Sequence, residues 1–209
     1  MLKKFVRTMA YIGGIATGFY LFASAPGIHK KTKWQHLTGW DYAHRGLYDN
    51  EHGIPENSMA AFRRAVDKGY GIELDVHLTA DNQLVVFHDD TLTRMCGMNK
   101  KISSFLYSDL MQLRLLGTEE GIPLFKDVLE LIDGKVPLII ELKVDGSNQN
   151  LLCPLVWQLL SRYKGDYCIE SFHPFVLQWF KRHEPQVVRG QLSCNFFKEN
   201  PHCDIVLFL

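Results

Sequence analysis

Apolar and polar positions along this chain follow two alternating rhythms from Asp41 onward. Short apolar runs read as strands over Asp41–Gly46, Gly71–Leu78, Gln83–His88, Val136–Val144, Asp166–Phe172 and Val187–Leu192. Between them, apolar residues recur at helical spacing over Ser58–Lys68, Ser104–Leu116, Phe125–Ile132, Gln149–Tyr163 and Pro174–His183. In the first of these, Met59, Phe62 and Val66 fall at i, i+3 and i+7, with Asn57 or Ser58 as cap and Gly69 as stop. Strand and helix patterns in repeated alternation, with near-continuously apolar strands, predict an α/β fold built on a parallel sheet.

The front of the chain reads differently. Thr8–Ile28 carries no charge, and as a helix it would span roughly 30 Å, the thickness of a bilayer core. Lys3, Lys4 and Arg7 precede it; Lys30, Lys31 and Lys33 follow it. Two readings compete. Its length favours an uncleaved membrane anchor, whereas Ala23-Ser24-Ala25 resembles a signal-peptidase site. Apolarity on every face between basic flanks disfavours a buried core helix. The chain thus divides into an anchor and basic linker over 1–33 and a folded domain over 40–209, with a single-pass membrane location. Equal basic flanks leave open the side on which the domain lies.

Composition narrows the classes. Lys+Arg and Asp+Glu both number 23 in 209 residues, so net charge is zero and a nucleic-acid partner is disfavoured. With 46% hydrophobic and 22% charged residues the chain has the makings of one ordinary core. The cysteines (Cys96, Cys153, Cys168, Cys194, Cys203) are odd in number and form no C-x-x-C, which argues against a disulfide scaffold or a zinc site and for small buried apolar residues.

Polar residues collect where apolar strands end. His44-Arg45 follows Tyr42-Ala43, Glu73 and Asp75 lie in the second strand, His88-Asp89 closes the third, and Glu141 and Lys143 follow Leu138-Ile139-Ile140. Strand C-termini carry the active site in parallel α/β folds. Glu73 and Asp75 leave one face of their strand, and Glu141 and Lys143 repeat that spacing. Three converging carboxylates repel unless a cation intervenes, and all-oxygen ligation suits Mg2+ or Ca2+. Two imidazoles, His44 and His88, suit acid/base work near neutral pH, and Arg45 is a fork for phosphate or carboxylate. Together with Lys143 this set fits cleavage of an anionic phosphoryl ester. Plainer readings stand beside these: a solvated face for Glu73 and Asp75, loop bonding for His44, a turn at His88-Asp89-Asp90, and a simple ion pair between Glu141 and Lys143.

Taken in order, His44-Arg45-Gly46, Pro55-Glu56-Asn57-Ser58, Glu73-Leu74-Asp75-Val76, His88-Asp89 and Glu141-Leu142-Lys143 resemble the signature of the glycerophosphodiester phosphodiesterase family, over about Tyr42 to Leu192. The resemblance implies a TIM-type (β/α)8 barrel, a divalent cation, and hydrolysis of glycerophosphodiesters to glycerol 3-phosphate and an alcohol. By motif, Glu73, Asp75 and Glu141 would hold the metal, His44 and His88 would be the acid/base pair, and Arg45 and Lys143 would contact phosphate. About six βα units are legible before Leu209, where the barrel has eight, so the expectation is an incomplete barrel with open edges. A phospholipase-type phosphodiesterase acting on membrane phospholipid, lysophospholipid or phosphoinositide, and an inactive truncated membrane protein, are the competing expectations.

Overall fold

The computed structural model describes residues 34–193, the strand Ile205–Phe208, and helical positions at 4, 7, 8, 11, 13, 14 and 18. The expected anchor and linker therefore lie outside the described residues apart from those positions, as do Cys194, Cys203 and Phe196-Phe197. Among the described residues no helix is long and apolar enough to cross a membrane.

One sheet organises the rest. Its strands are β1 (Tyr42–His44), β2 (Gly71–Leu78), β3 (Leu84–Val86), β4 (Leu138–Leu142), β5 (Tyr167–Ser171), β6 (Val188–Ser193) and β7 (Ile205–Phe208), in spatial order β1-β2-β4-β5-β6-β7 with β3 beside β2. The run β1, β2, β4, β5, β6 is parallel throughout. The curled sheet is consistent with part of a (β/α)8 barrel.

Two strands depart from the expected βα repetition. β3 pairs antiparallel to β2 because a tight turn joins them, and a parallel return needs a crossover of roughly a dozen residues or more. Within the turn, Thr79 Oγ1 accepts from Gln83 N at 2.8 Å, and Asn82 takes a positive φ of 62°. The apolar run near the end of the chain pairs antiparallel to β6 as β7.

The main helices are α1 (Met59–Lys68), α2 (Phe125–Ile132), α3 (Gln149–Leu160) and α4 (Pro174–His183). Ser58, rather than Asn57, caps α1: its hydroxyl accepts from Ala61 N at 3.2 Å. Gly69 ends the helix at φ 72°, a left-handed conformation that glycine takes without penalty. Proline at the first turn of α4 lacks an N–H that would be unpaired there in any case. The helices bury Phe62, Phe125, Val128, Leu152, Val156, Val176 and Phe180 against Ile72, Leu74, Val76, Leu138 and Ile140 of the sheet. Cys153 and Cys168 are free and buried, and Cys96 is free and half-buried, as small apolar residues would be.

Ser104–Leu116 is not one helix. Short turns at Ile102–Ser104, Tyr107–Leu110 and Leu115–Gly117 replace it, and Leu116 sits at φ 51°. Its apolar positions do not form a stripe against the sheet. Ile102, Leu110 and Leu115 turn inward with Val85, Phe87, Leu92, Met95 and Ile122 to make a second small core beside β3.

Candidate active site

The other face of the sheet carries charge. Strand register sets His44 beside Glu73, Asp75 beside Glu141, and Glu141 beside Glu170. Paired residues of parallel strands project from the same face, so β1, β2, β4 and β5 deliver these groups to one place. Glu73, Asp75 and Glu141 are buried, and each offers an oxygen within 4.8 Å of the others. The expected convergence of the three carboxylates is therefore present.

The loop after β1 is shaped around them. Arg45 adopts φ 60°, a conformation uncommon outside glycine, and its N–H donates to Glu73 Oε2 at 2.9 Å. Gly46 follows at φ 80°; a Cβ there would lie 2.9 Å from that of Ala61, so only glycine lets α1 pack this close. Arg45 Nη1 donates to Glu56 Oε1 at 2.9 Å. Its Nε lies 4.0 Å from Asp75 Oδ2, buried and without a hydrogen-bond partner, a donor available to an incoming anionic oxygen. Asn57, buried at φ 54°, donates from Nδ2 to Asp75 Oδ2 at 2.8 Å. Its Oδ1 is left buried and unpaired beside the carboxylates.

Lys143 is turned inward. Its Nζ lies 3.0 Å from Asp75 Oδ1 and 2.8 Å from Glu141 Oε1. The expected phosphate contact is thus, in this structure, an ammonium paired with two of the three acids. Burial opposes its charge, but Asp75 and Glu141 outweigh burial and raise its pKa. Burial would also raise Asp75, yet Lys143 and then His88 hold it below the ordinary carboxylate value. Glu73 is pushed well above the usual range by burial and then by Asp75. Glu141 is pushed up to about 7, by burial first, with Asp75 adding to it and Lys143 opposing it. One ammonium does not neutralise this cluster. The donor set is all oxygen and short of positive charge, which fits a hard divalent cation such as Mg2+ or Ca2+.

The two histidines flank the acids. His44 projects from the end of β1, its side chain 65% exposed, with Nε2 3.8 Å from Glu73 Oε2. Partial desolvation and then the Arg45 charge lower its pKa. His88 lies just beyond β3, with Nδ1 2.6 Å from Asp89 Oδ1. His88 bears electrostatically on both His44 and Asp75.

Sequence reasoning passed over three groups. Glu170 on β5 is buried next to Glu141 and pushed up to about 8, chiefly by burial and then by Glu141 and Asp75. Its signal was the same as that of Glu141, an acid at the end of an apolar strand. His77, to which no role was given, is buried two residues beyond Asp75, with Nε2 3.3 Å from the His88 carbonyl. Arg94, in the turn Thr93–Cys96, bonds both Asp89 and Glu56, and no spacing announces that. His52 pairs with Asp49, at an exposed site. Trp157 and Trp179 pack on the main core, and His173 precedes α4 and contacts Phe175 edge-on.

Comparison with known proteins agrees with this geometry. Residues 44–196 match the model of the Glycerophosphoryl diester phosphodiesterase family. The Rattus norvegicus lysophospholipase D GDPD1 is 32% identical over 172 residues, which cover 76% of this chain and 52% of the relative. A glycerophosphodiester phosphodiesterase of Caldanaerobacter subterraneus is 34% identical over 166 residues, covering 72% of this chain and 65% of the relative. Among solved structures, an Oleispira antarctica phosphodiesterase in complex with the product sn-glycerol-3-phosphate superposes with a TM-score of 0.67 at 27% identity, over 74% of this chain and 66% of that one. The chain spans about half the length of the GDPD1 relatives it matches.

Proposed function

The chain belongs to the glycerophosphoryl diester phosphodiesterase family, and from that premise we propose that it hydrolyses glycerophosphodiesters to glycerol 3-phosphate and an alcohol, in lipid metabolism, with a divalent cation bound. The observation that carries this reading is the approach of Glu73, Asp75 and Glu141 oxygens within 4.8 Å of one another. Those three residues hold the cation in this reading, and the unpaired Oδ1 of Asn57 is a neutral oxygen beside them. Mg2+ or Ca2+ bound there supplies charge to polarise a phosphoryl oxygen. The protein's own groups do the rest. Arg45 Nε, unpaired in the structure, binds a phosphodiester oxygen. Lys143 keeps Asp75 ionised and lends positive charge to the anion site.

With Asp89 as the acceptor for His88 Nδ1–H, Nε2 carries the lone pair in this reading. His88 accordingly takes the proton of the nucleophile, which is water or a hydroxyl of the substrate itself. His44, at the open rim of the site, returns a proton to the departing alcohol. Each transfer supplies roughly 10²–10⁴-fold; positioning and charge stabilisation supply the remainder.

A second reading places the same chemistry on membrane lysophospholipid. It is favoured by the likeness to lysophospholipases D and by Phe172 and Phe175, 40% and 54% exposed beyond the end of β5. The uncharged run Thr8–Ile28 supports a single membrane anchor that would keep the site near lipid. Comparing turnover of a water-soluble glycerophosphodiester with that of a micellar lysophospholipid, using the full chain, separates the two. Faster turnover of the soluble diester upholds the first reading and faster turnover of the micelle the second. Turnover of neither, with Mg2+ and Ca2+ each supplied, contradicts both.

A further inference from the structure

Arg94 is outside the set that binds cation or phosphate, yet it makes four hydrogen bonds to two carboxylates. Its Nε donates to Asp89 Oδ2 at 2.8 Å and its Nη2 to Asp89 Oδ1 at 2.9 Å. On its other side, Nη1 donates to Glu56 Oε2 at 2.8 Å and Nη2 to Glu56 Oε1 at 2.7 Å. One guanidinium thus grips two carboxylates with two bonds each, a geometry that lysine's point charge does not reproduce.

Each of those carboxylates also touches a group of the site. Asp89 Oδ1 is the partner of His88 Nδ1 at 2.6 Å, and Glu56 Oε1 is the partner of Arg45 Nη1 at 2.9 Å. The result is a hydrogen-bonded chain, His88–Asp89–Arg94–Glu56–Arg45. It ties the loop after β3 to the loop between β1 and α1. Glu56 is buried and touches both arginines, so with Arg94 gone it would turn wholly to Arg45 and neutralise the fork that faces the anion. Asp89 would lose the bonds that fix its plane, and the ring of His88 would lose its setting.

We propose that Arg94 is a positioning residue. Held at once on Asp89 and Glu56, it sets the His88 ring and the Arg45 guanidinium together, so that proton transfer and phosphate capture share one rigid frame. The inference rests on the roles given above to His88 and Arg45. It predicts coupled losses: the same substitution disturbs both kcat, through His88, and KM, through Arg45.

The test uses Arg94→Ala and Arg94→Lys in the full chain. Its readouts are kcat and KM on a water-soluble glycerophosphodiester, melting temperature, and nitrogen NMR of the histidine rings. Arg94→Ala is expected to lower kcat about 10²-fold, the scale of a misplacement of about 1 Å, and to raise KM. The His88 Nδ1–H signal should shift or broaden. Arg94→Lys keeps the charge and guards against simple unfolding; it is expected to melt near the parent and still turn over slowly. Free guanidinium should restore part of the rate to Arg94→Ala and none to Arg94→Lys. Parental kcat and an unmoved His88 signal in both variants would overturn the proposal, as would full activity in Arg94→Lys. If the parent chain hydrolyses nothing while Arg94→Ala still displaces the His88 signal, the assigned reaction fails and the positioning role stands.

Discussion

The two faces of β2 are equally hidden and chemically opposite. Ile72, Leu74 and Val76 meet the helices, while Glu73, Asp75 and His77 leave the other side of the same strand, and all six are buried. On the helix face burial is its own reward, at roughly 25 cal/mol for each Å² of apolar surface removed from water. On the site face burial works against folding, because an ionised carboxylate sheltered from water needs a compensating charge or a proton. Lys143 and Arg45 supply part of that charge. The lesson is that low exposure signals stability on one side of this sheet and a demand for a partner on the other.

That contrast breaks most visibly in the histidines. His44→Ala and His88→Ala are each expected to lower turnover by about 10²–10⁴-fold. Melting temperature and cation affinity should stay near the parent's, as measured by calorimetry alongside the rate assay. Near-parental turnover in either variant would remove that residue from the acid/base pair. On the helix face the pattern inverts. Phe62→Ala or Phe125→Ala is expected to cost about 3–5 kcal/mol by chemical denaturation. The fraction that remains folded should keep its rate.

A third prediction sets the faces against each other through pH. Without added cation, Glu73, Glu141 and Glu170 have pKa values raised from 4.5, Glu141 to about 7 and Glu170 to about 8. Between about pH 4.5 and 8 the folded protein holds protons that the unfolded chain has released, so stability falls as pH rises across that window. Below 4.5 this contribution is fully present. His77 and His44, both lowered first by burial, pull the other way over their own titrations, but they are two groups against three. Asp89 is depressed to about 2, burial being outweighed by its bonds to Arg94 and His88, so its contribution is lost as pH drops below the ordinary carboxylate range. Melting scans should therefore show a cation-free optimum on the acid side, and Ca2+ or Mg2+ should raise the melting temperature more at pH 8 than at pH 5. A cation-free melting temperature that climbs steadily from pH 5 to 8 would contradict the assignment. The smallest effect belongs to the start of α1: Ser58→Ala removes the cap and is expected to cost about 1 kcal/mol.

Much of this was legible from alternation alone. β2 announces both faces in Gly71–Leu78, and the ends of α1 are readable as a cap at Asn57 or Ser58 and a stop at Gly69. The acids, the two histidines and Arg45 could be placed together because each lies in an apolar strand or immediately follows one. What escaped depends on contacts that no local pattern encodes. The reversal of β3 lies in a short turn, and the fragmentation of Ser104–Leu116 follows from a second core assembled from distant residues. Lys143 shares the face of Glu141, but whether its ammonium meets the acids or a substrate is decided by its conformation. Arg94 sits in a helical turn with nothing to distinguish it until Asp89 and Glu56 fold onto it.

The central claim is that the buried acids on the site face share one cation. Isothermal titration of Ca2+ and of Mg2+ into the chelator-treated full chain addresses it directly, with Asp75→Asn and Glu141→Gln as comparisons. The account predicts one ion bound per chain, with affinity lost or sharply weakened in both variants while each still melts cooperatively. Absence of binding by the parent chain, or binding that both variants retain unchanged, would contradict it.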